Sequence, residues 1–297
     1  MTSISQGDRE KQSAARNSLL TAVGLAGIKA IVGLMTGSLG ILAEAAHSGL
    51  DLVAAIMTYL AVRISGKPPD TDHLYGHGKV ENLSAFFETL LLLVTCVWIV
   101  REAIGRLLHH HGLVEATVWS FAVMLISIGA NAVRSRALGR TARKYNSQAL
   151  EADALHFQTD IWSSAVVIAG LIAVKIADAF PGLAWLRGGD AVAALGVSAL
   201  IVVVSIRLGR RTIDVLLDTA PAGMEQRIAM AAEGVEGVHN CHNVRIRASG
   251  PKMFIDLHVL VDGGQTLAQA HDLTVRIEAA IQEIAPQADV TVHPEPL

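Results

Sequence analysis

The chain has 297 residues, 52% of them hydrophobic and 17% charged, with a mean hydropathy of +0.43. That balance excludes an ordinary soluble two-domain protein and fits a membrane protein with a polar appendage. The formal net charge of −3 excludes little, because where the charges lie matters more than their sum.

Residues 1–16 are polar, with no apolar core leading to a small-residue cleavage site, and read as a cytoplasmic tail. Spanning the hydrocarbon takes about 20 mostly apolar residues. Six stretches qualify, near 17–36, 39–62, 81–107, 114–137, 152–178 and 188–209. The expected division is a tail at 1–16, a six-helix membrane domain at 17–211 and a soluble domain at 212–297. Lys and Arg orient the spans. Arg9, Lys11 and Arg16 precede the first; Arg63, Lys67 and Lys79 follow the second; Arg134, Arg136, Arg140, Arg143 and Lys144 follow the fourth; Arg207, Arg210 and Arg211 follow the sixth. The opposite connections are poor in them, so both termini are expected in the cytoplasm. Cys96 and Cys241 lie in different solvents, and no disulfide is implied.

After Arg211 the long apolar runs give way to short alternating ones. A helix is expected from Pro221-Ala222 to about Glu233, closed by Gly234 and Gly237. Two strands follow, one through Val244 and Ile246, one through Met253 to Val261, with a turn at Ser249-Gly250-Pro251. Leu267, Ala270, Thr274, Ile277, Ile281 and Ile284 recur at helical spacing, and Val290 to His293 form a last strand. The fold class is therefore an α-helical membrane protein followed by a small cytoplasmic α+β domain of order α-β-β-α-β.

The chemistry concentrates in histidines and carboxylates. His47 and Asp51 in the second span, and His156 and Asp160 in the fifth, each stand four residues apart, on one helix face. A carboxylate deep in a bilayer survives mainly where it pairs or lines a polar path. Interhelical hydrogen bonds are one reading. Four ligands for a tetrahedral Zn²⁺ are the other, and two repeats of the same spacing favour it. Two carboxylates with two neutral imidazoles balance a divalent ion, so its departure invites protons in exchange.

Asp70, His73 and His77, in a connection rich in Pro and Gly, form either a solvated loop or a further metal site. His242, His258, His271, His293 and Glu295 fall at the faces or ends of neighbouring elements of the tail, and convergence on one or two ions is expected. His239 and Cys241 flank them as substitute ligands. Lys29 and Glu88 are candidates for a buried pair or a snorkelling contact, structural and not part of transport, Glu44 for the exit path, and Gly24, Gly27 and Gly33 for close helix contact. The run His109 to His111 reads as a solvated turn. Glycine-rich phosphate loops, zinc-hydrolase helices and nucleophile elbows are absent. An enzyme is not expected, nor a nucleic-acid partner.

Six spans, the paired His-xxx-Asp strings, Gly76-His77-Gly78-Lys79 and Ala154-Leu155-His156-Phe157-Gln158-Thr159-Asp160-Ile161-Trp162 together resemble the cation diffusion facilitator family, in its bacterial zinc/iron exporter form. The resemblance implies a homodimer in the inner membrane that exports Zn²⁺ or related divalent metals in exchange for protons. It implies a transport site at His47, Asp51, His156 and Asp160, a loop site at Asp70, His73 and His77, and a binuclear tail site at His242, His258, His293 and Glu295 bridged by His271. Lys79 and Asp218 match a charged interlock across the dimer. His47, where several relatives carry Asp, implies preference for zinc over cadmium. A membrane-bound metal sensor without transport, and a relative specific for Fe²⁺, are the alternatives.

Overall fold

The computed structural model describes residues 6–37, 39–109, 118–179 and 189–297. Six long helices come first: α1 (Gln6–Thr36), α2 (Leu39–Ser65), α3 (Lys79–His109), α4 (Val118–Tyr145), α5 (Gln148–Ala179) and α6 (Gly189–Leu216). Among the described residues, four helical stretches are long and apolar enough to cross a membrane: Gln6–Thr36, Glu44–Ser65, Lys79–Arg101 and Phe121–Tyr145. His110, His111 and Arg187 lie outside the described residues.

α1 packs along α2, α3 along α6, and α4 along α5. Small residues make these approaches close. Ala15, Ala142, Ala149 and Ala154 are buried with Val62, Leu138, Leu150 and Phe157 in one cluster joining α1, α2, α4 and α5. α4 stops where Asn146 takes the left-handed conformation (φ 49°) and the Ser147 N–H bonds back to the Ala142 carbonyl at 3.0 Å, which turns the chain into α5.

Three sequence expectations need correction. Residues 6–16, expected as a tail, are the first turns of α1, and Lys11 is only 2% exposed. Its ammonium reaches Glu81 Oε1 at 2.8 Å, an attraction across helices that hydropathy cannot register. Lys29 does not pair with Glu88; it bonds Glu44 at 3.0 Å and Ser48 at 2.8 Å, while Glu88 takes the hydroxyl of Thr58. Gly24 and Gly27 have open space where a Cβ would stand, and only Gly33 is held against a neighbour, Leu42.

The cytoplasmic domain comprises α7 (Met224–Glu233), β1 (Asn240–Ser249), β2 (Lys252–Val261), α8 (Leu267–Ile284) and β3 (Ala288–Pro296). α7 starts later than the Pro221-Ala222 signal, after Gly223 at φ 73°. The sheet runs β1-β2-β3, with β1 antiparallel and β3 parallel to β2. Alternation along the strands points Ile246, Ile255, Leu257 and Val259 at Leu273, Ile277 and Ile281 of α8. A reciprocal capping box between Thr266 and Gln269 fixes where α8 begins.

The β1–β2 turn meets the start of α3. A Cβ on Gly78 would collide with the Ser249 carbonyl, and one on Gly250 would stand 2.7 Å from the Gly78 carbonyl oxygen. Asn82 donates to Gln148 Oε1 at 2.8 Å and accepts the Gly250 N–H at 3.0 Å.

Candidate metal centres

Inside the membrane domain, α2 and α5 bring their two His-xxx-Asp strings face to face. Helical spacing puts His47 Nε2 3.9 Å from Asp51 Oδ1, and His156 Nε2 3.9 Å from Asp160 Oδ2. Across the gap, His156 Nε2 lies 3.1 Å from Asp51 Oδ1 and His47 Nε2 3.7 Å from Asp160 Oδ1. Each imidazole thus faces both carboxylates. A tetrahedral zinc with bonds of about 2.0–2.2 Å separates its ligand atoms by about 3.3–3.6 Å. One ligand atom each from His47, Asp51 and Asp160 lies within 4.8 Å of the other two, while His156 meets Asp51 Oδ1 and the other oxygen of Asp160, so a four-donor tetrahedron needs His156 and the Asp160 carboxyl to turn inward. The side chains of Asp51 and Asp160 are each 10% exposed and that of His156 3%, whereas His47 is 26% exposed. One donor therefore stands at the edge of the group.

Several flanking groups were not legible as site neighbours. Arg134 of α4 sets its guanidinium 3.5 Å from the centre of the Phe157 ring, and the His156 ring meets the same phenyl edge-on at 5.4 Å. Arg134 also donates to Ser18 Oγ at 3.1 Å, and Ser18 donates to Asp153 Oδ2 at 3.2 Å. Asp153 lies one turn before His156, a helical spacing the sequence displays, but its partners on α1 and α4 are distant in the chain.

The loop residues Asp70, His73 and His77 converge without forming a helix. Asp70 Oδ1 accepts the backbone N–H groups of His73 at 2.7 Å and Asp72 at 3.1 Å, an Asx turn that Gly76 at φ 77° helps to close. Its two oxygens meet His73 Nδ1 at 3.2 Å and His77 Nε2 at 3.3 Å. The bond from the His73 N–H holds the Asp70 carboxyl below the usual carboxylate range. The trio offers three donors, one His being largely buried.

In the cytoplasmic domain the ladder registers His242 opposite His258 and His258 opposite His293. Three histidines thus form a row across three strands. Glu295, two residues beyond His293 on the same strand face, reaches His258 Nδ1 at 2.9 Å, His242 Nε2 at 3.2 Å and His293 Nε2 at 3.7 Å. The His258 bond keeps the Glu295 carboxyl low. His271, expected as a bridge, sits on α8 and is not part of the close group within one chain. Cys241 is no substitute ligand. Strand alternation turns it into the apolar core, where burial and then Glu233 push its thiol up to about 11. His239 is exposed at the foot of β1.

Lys79 and Asp218 form an exposed ion pair at 2.7 Å within a single chain. Asp218 adopts φ 59° just past the end of α6, so the pair ties the start of α3 to the exit of α6.

Residues 16–217 match the cation efflux transmembrane domain, and residues 220–297 match the cytoplasmic domain of cation efflux proteins. The chain is 32% identical over 272 residues to the cation-efflux pump FieF of Citrobacter koseri, covering 91% of this chain and 87% of the relative. With the FieF of Serratia proteamaculans identity is 31% over 286 residues, 95% and 92% of the two chains. The solved structure MamM-CTD 215-293 is 29% identical, covers 25% of this chain and 95% of its own, and has a TM-score of 0.24.

Proposed function

The chain belongs to the cation efflux (cation diffusion facilitator) family, and from that premise we propose that it exports Zn²⁺ from the cytoplasm in exchange for protons. It is a FieF-type efflux transporter and not an enzyme; the ion and the coupling are the proposal. The observation that carries it is the facing of His47, Asp51, His156 and Asp160 with N···O separations of 3.1–3.9 Å. Two nitrogens and two oxygens suit zinc better than Mg²⁺ or Mn²⁺, which favour oxygen.

With both imidazoles neutral and both carboxylates ionised, the empty quartet carries two negative charges in a medium that solvates them poorly. A divalent ion cancels them, and so do protons. Exchange of one for the other keeps the bundle near neutrality in both occupied states, so an inward proton gradient drives metal outward. The two membrane-exposed sides are reached in turn by relative motion of the helices, in a homodimer held in part by the cytoplasmic domain, with both termini on the cytoplasmic side of an inner membrane. The loop trio and the histidine row serve as additional cytoplasmic metal sites, and the Lys79–Asp218 pair holds the start of α3 against the end of α6, where the chain leaves for the soluble domain.

The test is flux in proteoliposomes. Zinc uptake that responds to an imposed pH gradient, and is lost in Asp51→Ala, supports the reading; zinc flux indifferent to the gradient refutes the coupling. Running Cd²⁺, Mn²⁺, Co²⁺ and Fe²⁺ in parallel settles the cargo.

A further inference from the structure

The bundle buries more polar chemistry than the quartet uses. On α3, Glu81, Ser84 and Glu88 recur at intervals of three and four and so share one helix face. Both glutamates are 0% exposed, and Ser84 is buried beside them. Thr58, two turns past Asp51 on α2, and Asp153, one turn before His156 on α5, are likewise 0% exposed. These groups trace a seam from the quartet toward the end of α3 that touches the cytoplasmic domain.

Glu88 is the seam's unexplained member. The Thr58 hydroxyl donates to its Oε1, and its Oε2 is buried with no hydrogen-bond partner among the described residues. Ser84 Oγ and Asp153 Oδ1 are equally unpartnered. The acid that α5 buries on this side of the bundle is Asp153, also 0% exposed. From α2 Glu88 meets uncharged Thr58, and among the described residues the buried polar groups of α6 are Ser198, Ser205 and Thr212, also uncharged. Arg134 answers Asp153 through Ser18, and Lys11 answers Glu81. Among the described residues, no cation pairs with Glu88. A carboxyl so placed is stable with its proton and costly without it.

We propose that Glu88 is a proton-binding residue of the transport cycle, passing protons between the quartet and the cytoplasmic end of the bundle along Asp153, Glu88 and Ser84. This rests on the proton-coupled reading above. Each step is a proton transfer: the Glu88 O–H breaks as an O–H forms on Ser84 Oγ, which releases its own hydrogen to the acceptor beyond it, and Glu88 then regains a proton from the Asp153 side. No other bond changes.

The experiment uses the full-length protein in proteoliposomes with a zinc indicator and a pH dye, comparing wild type, Glu88→Gln and Glu88→Asp, with zinc affinity measured in detergent by calorimetry. Expected for Glu88→Gln is zinc affinity within threefold of wild type, with gradient-driven zinc flux and zinc-driven proton flux falling together at least tenfold. Glu88→Asp restores a third or more of the rate and displaces its pH profile. Wild-type rates and pH profile in Glu88→Gln overturn the proposal, as does loss of zinc affinity in proportion to rate. Should Glu88→Gln fail to fold, Thr58→Val is read instead: proton flux down at least threefold with affinity kept supports it, and unchanged flux overturns it. A wild type indifferent to the gradient removes the coupling itself; a coupled wild type with an unaffected Glu88→Gln removes Glu88 alone.

Discussion

Asn82 on α3 accepts the backbone N–H of Gly250 at 3.0 Å, so the first turn of a membrane helix is hydrogen-bonded to the tip of a hairpin in the soluble domain. Gly78 and Gly250 make that contact possible, because neither leaves room for a Cβ. Gly78→Ala must push the Ser249 carbonyl away. We expect a cost of about 1–3 kcal/mol, as for other overpacked contacts, with faster hydrogen exchange confined to residues 249–252 and the remaining sheet unchanged.

The buried pair of Lys11 and Glu81 gives a second prediction. Glu81 also takes the hydroxyls of Ser65 and Ser147, so one carboxylate gathers α1, α2, α3 and the turn before α5. Glu81→Leu strands the Lys11 ammonium with only Asp8 at 3.2 Å. Removing one partner of a buried pair costs about 3–5 kcal/mol. The double variant Lys11→Met/Glu81→Leu should recover much of that in thermal unfolding in detergent.

These two sites mark where sequence reading stops. The two His-xxx-Asp pairs were legible as side chains sharing a helix face because His and Asp stand four apart, twice; that α2 and α5 turn those faces toward each other is the structure's addition. The α-β-β-α-β order was legible because periodicity changes sharply after Arg211. The helical character of residues 6–16 was not, since its cause is an ammonium meeting Glu81, 70 positions away. The Lys29 pairing failed for the same reason: two charges in apolar stretches were visible, but only packing chose Glu44 over Glu88. His242, His258 and His293 could be seen as a group, yet their alignment in one row depends on strand register.

At the quartet, His47→Asp replaces a neutral imidazole by a third carboxylate. The expected outcome is a rise in cadmium flux relative to zinc of about tenfold, equivalent to about 1.4 kcal/mol of discrimination, measured by competition in proteoliposomes. Equal ratios in both proteins would remove His47 as the selectivity residue.

Cys241 supplies a test in the soluble domain. With its thiol raised to about 11 and its side chain in the core, it should resist iodoacetamide at pH 8.5 in the folded chain and react on unfolding. Cys241→Ala should leave zinc affinity of the tail within twofold. A larger loss would restore it as a ligand.

Asp70 gives a pH dependence. Its carboxyl is lowered in the folded loop by the His73 N–H, so its stabilising contribution is complete above the ordinary carboxylate value and is lost as pH falls through the lowered one. In metal-free protein the His73 amide should stay protected through mildly acidic pH and open only below the usual carboxylate range, as followed by amide exchange. Asp70→Asn should abolish most of that dependence.

The uneven exposure of the quartet bears on how fast an ion is captured. On the proposed reading, an arriving hydrated cation would meet the His47 ring, the most exposed of the four donors, before the other three. Water can then be shed in stages, each departing molecule replaced before the next is lost, which divides one tall dehydration barrier into several low ones. Capture rate would thus be governed by the rim imidazole and residence time by the interior donors, so substitutions at the two depths should alter different kinetic constants.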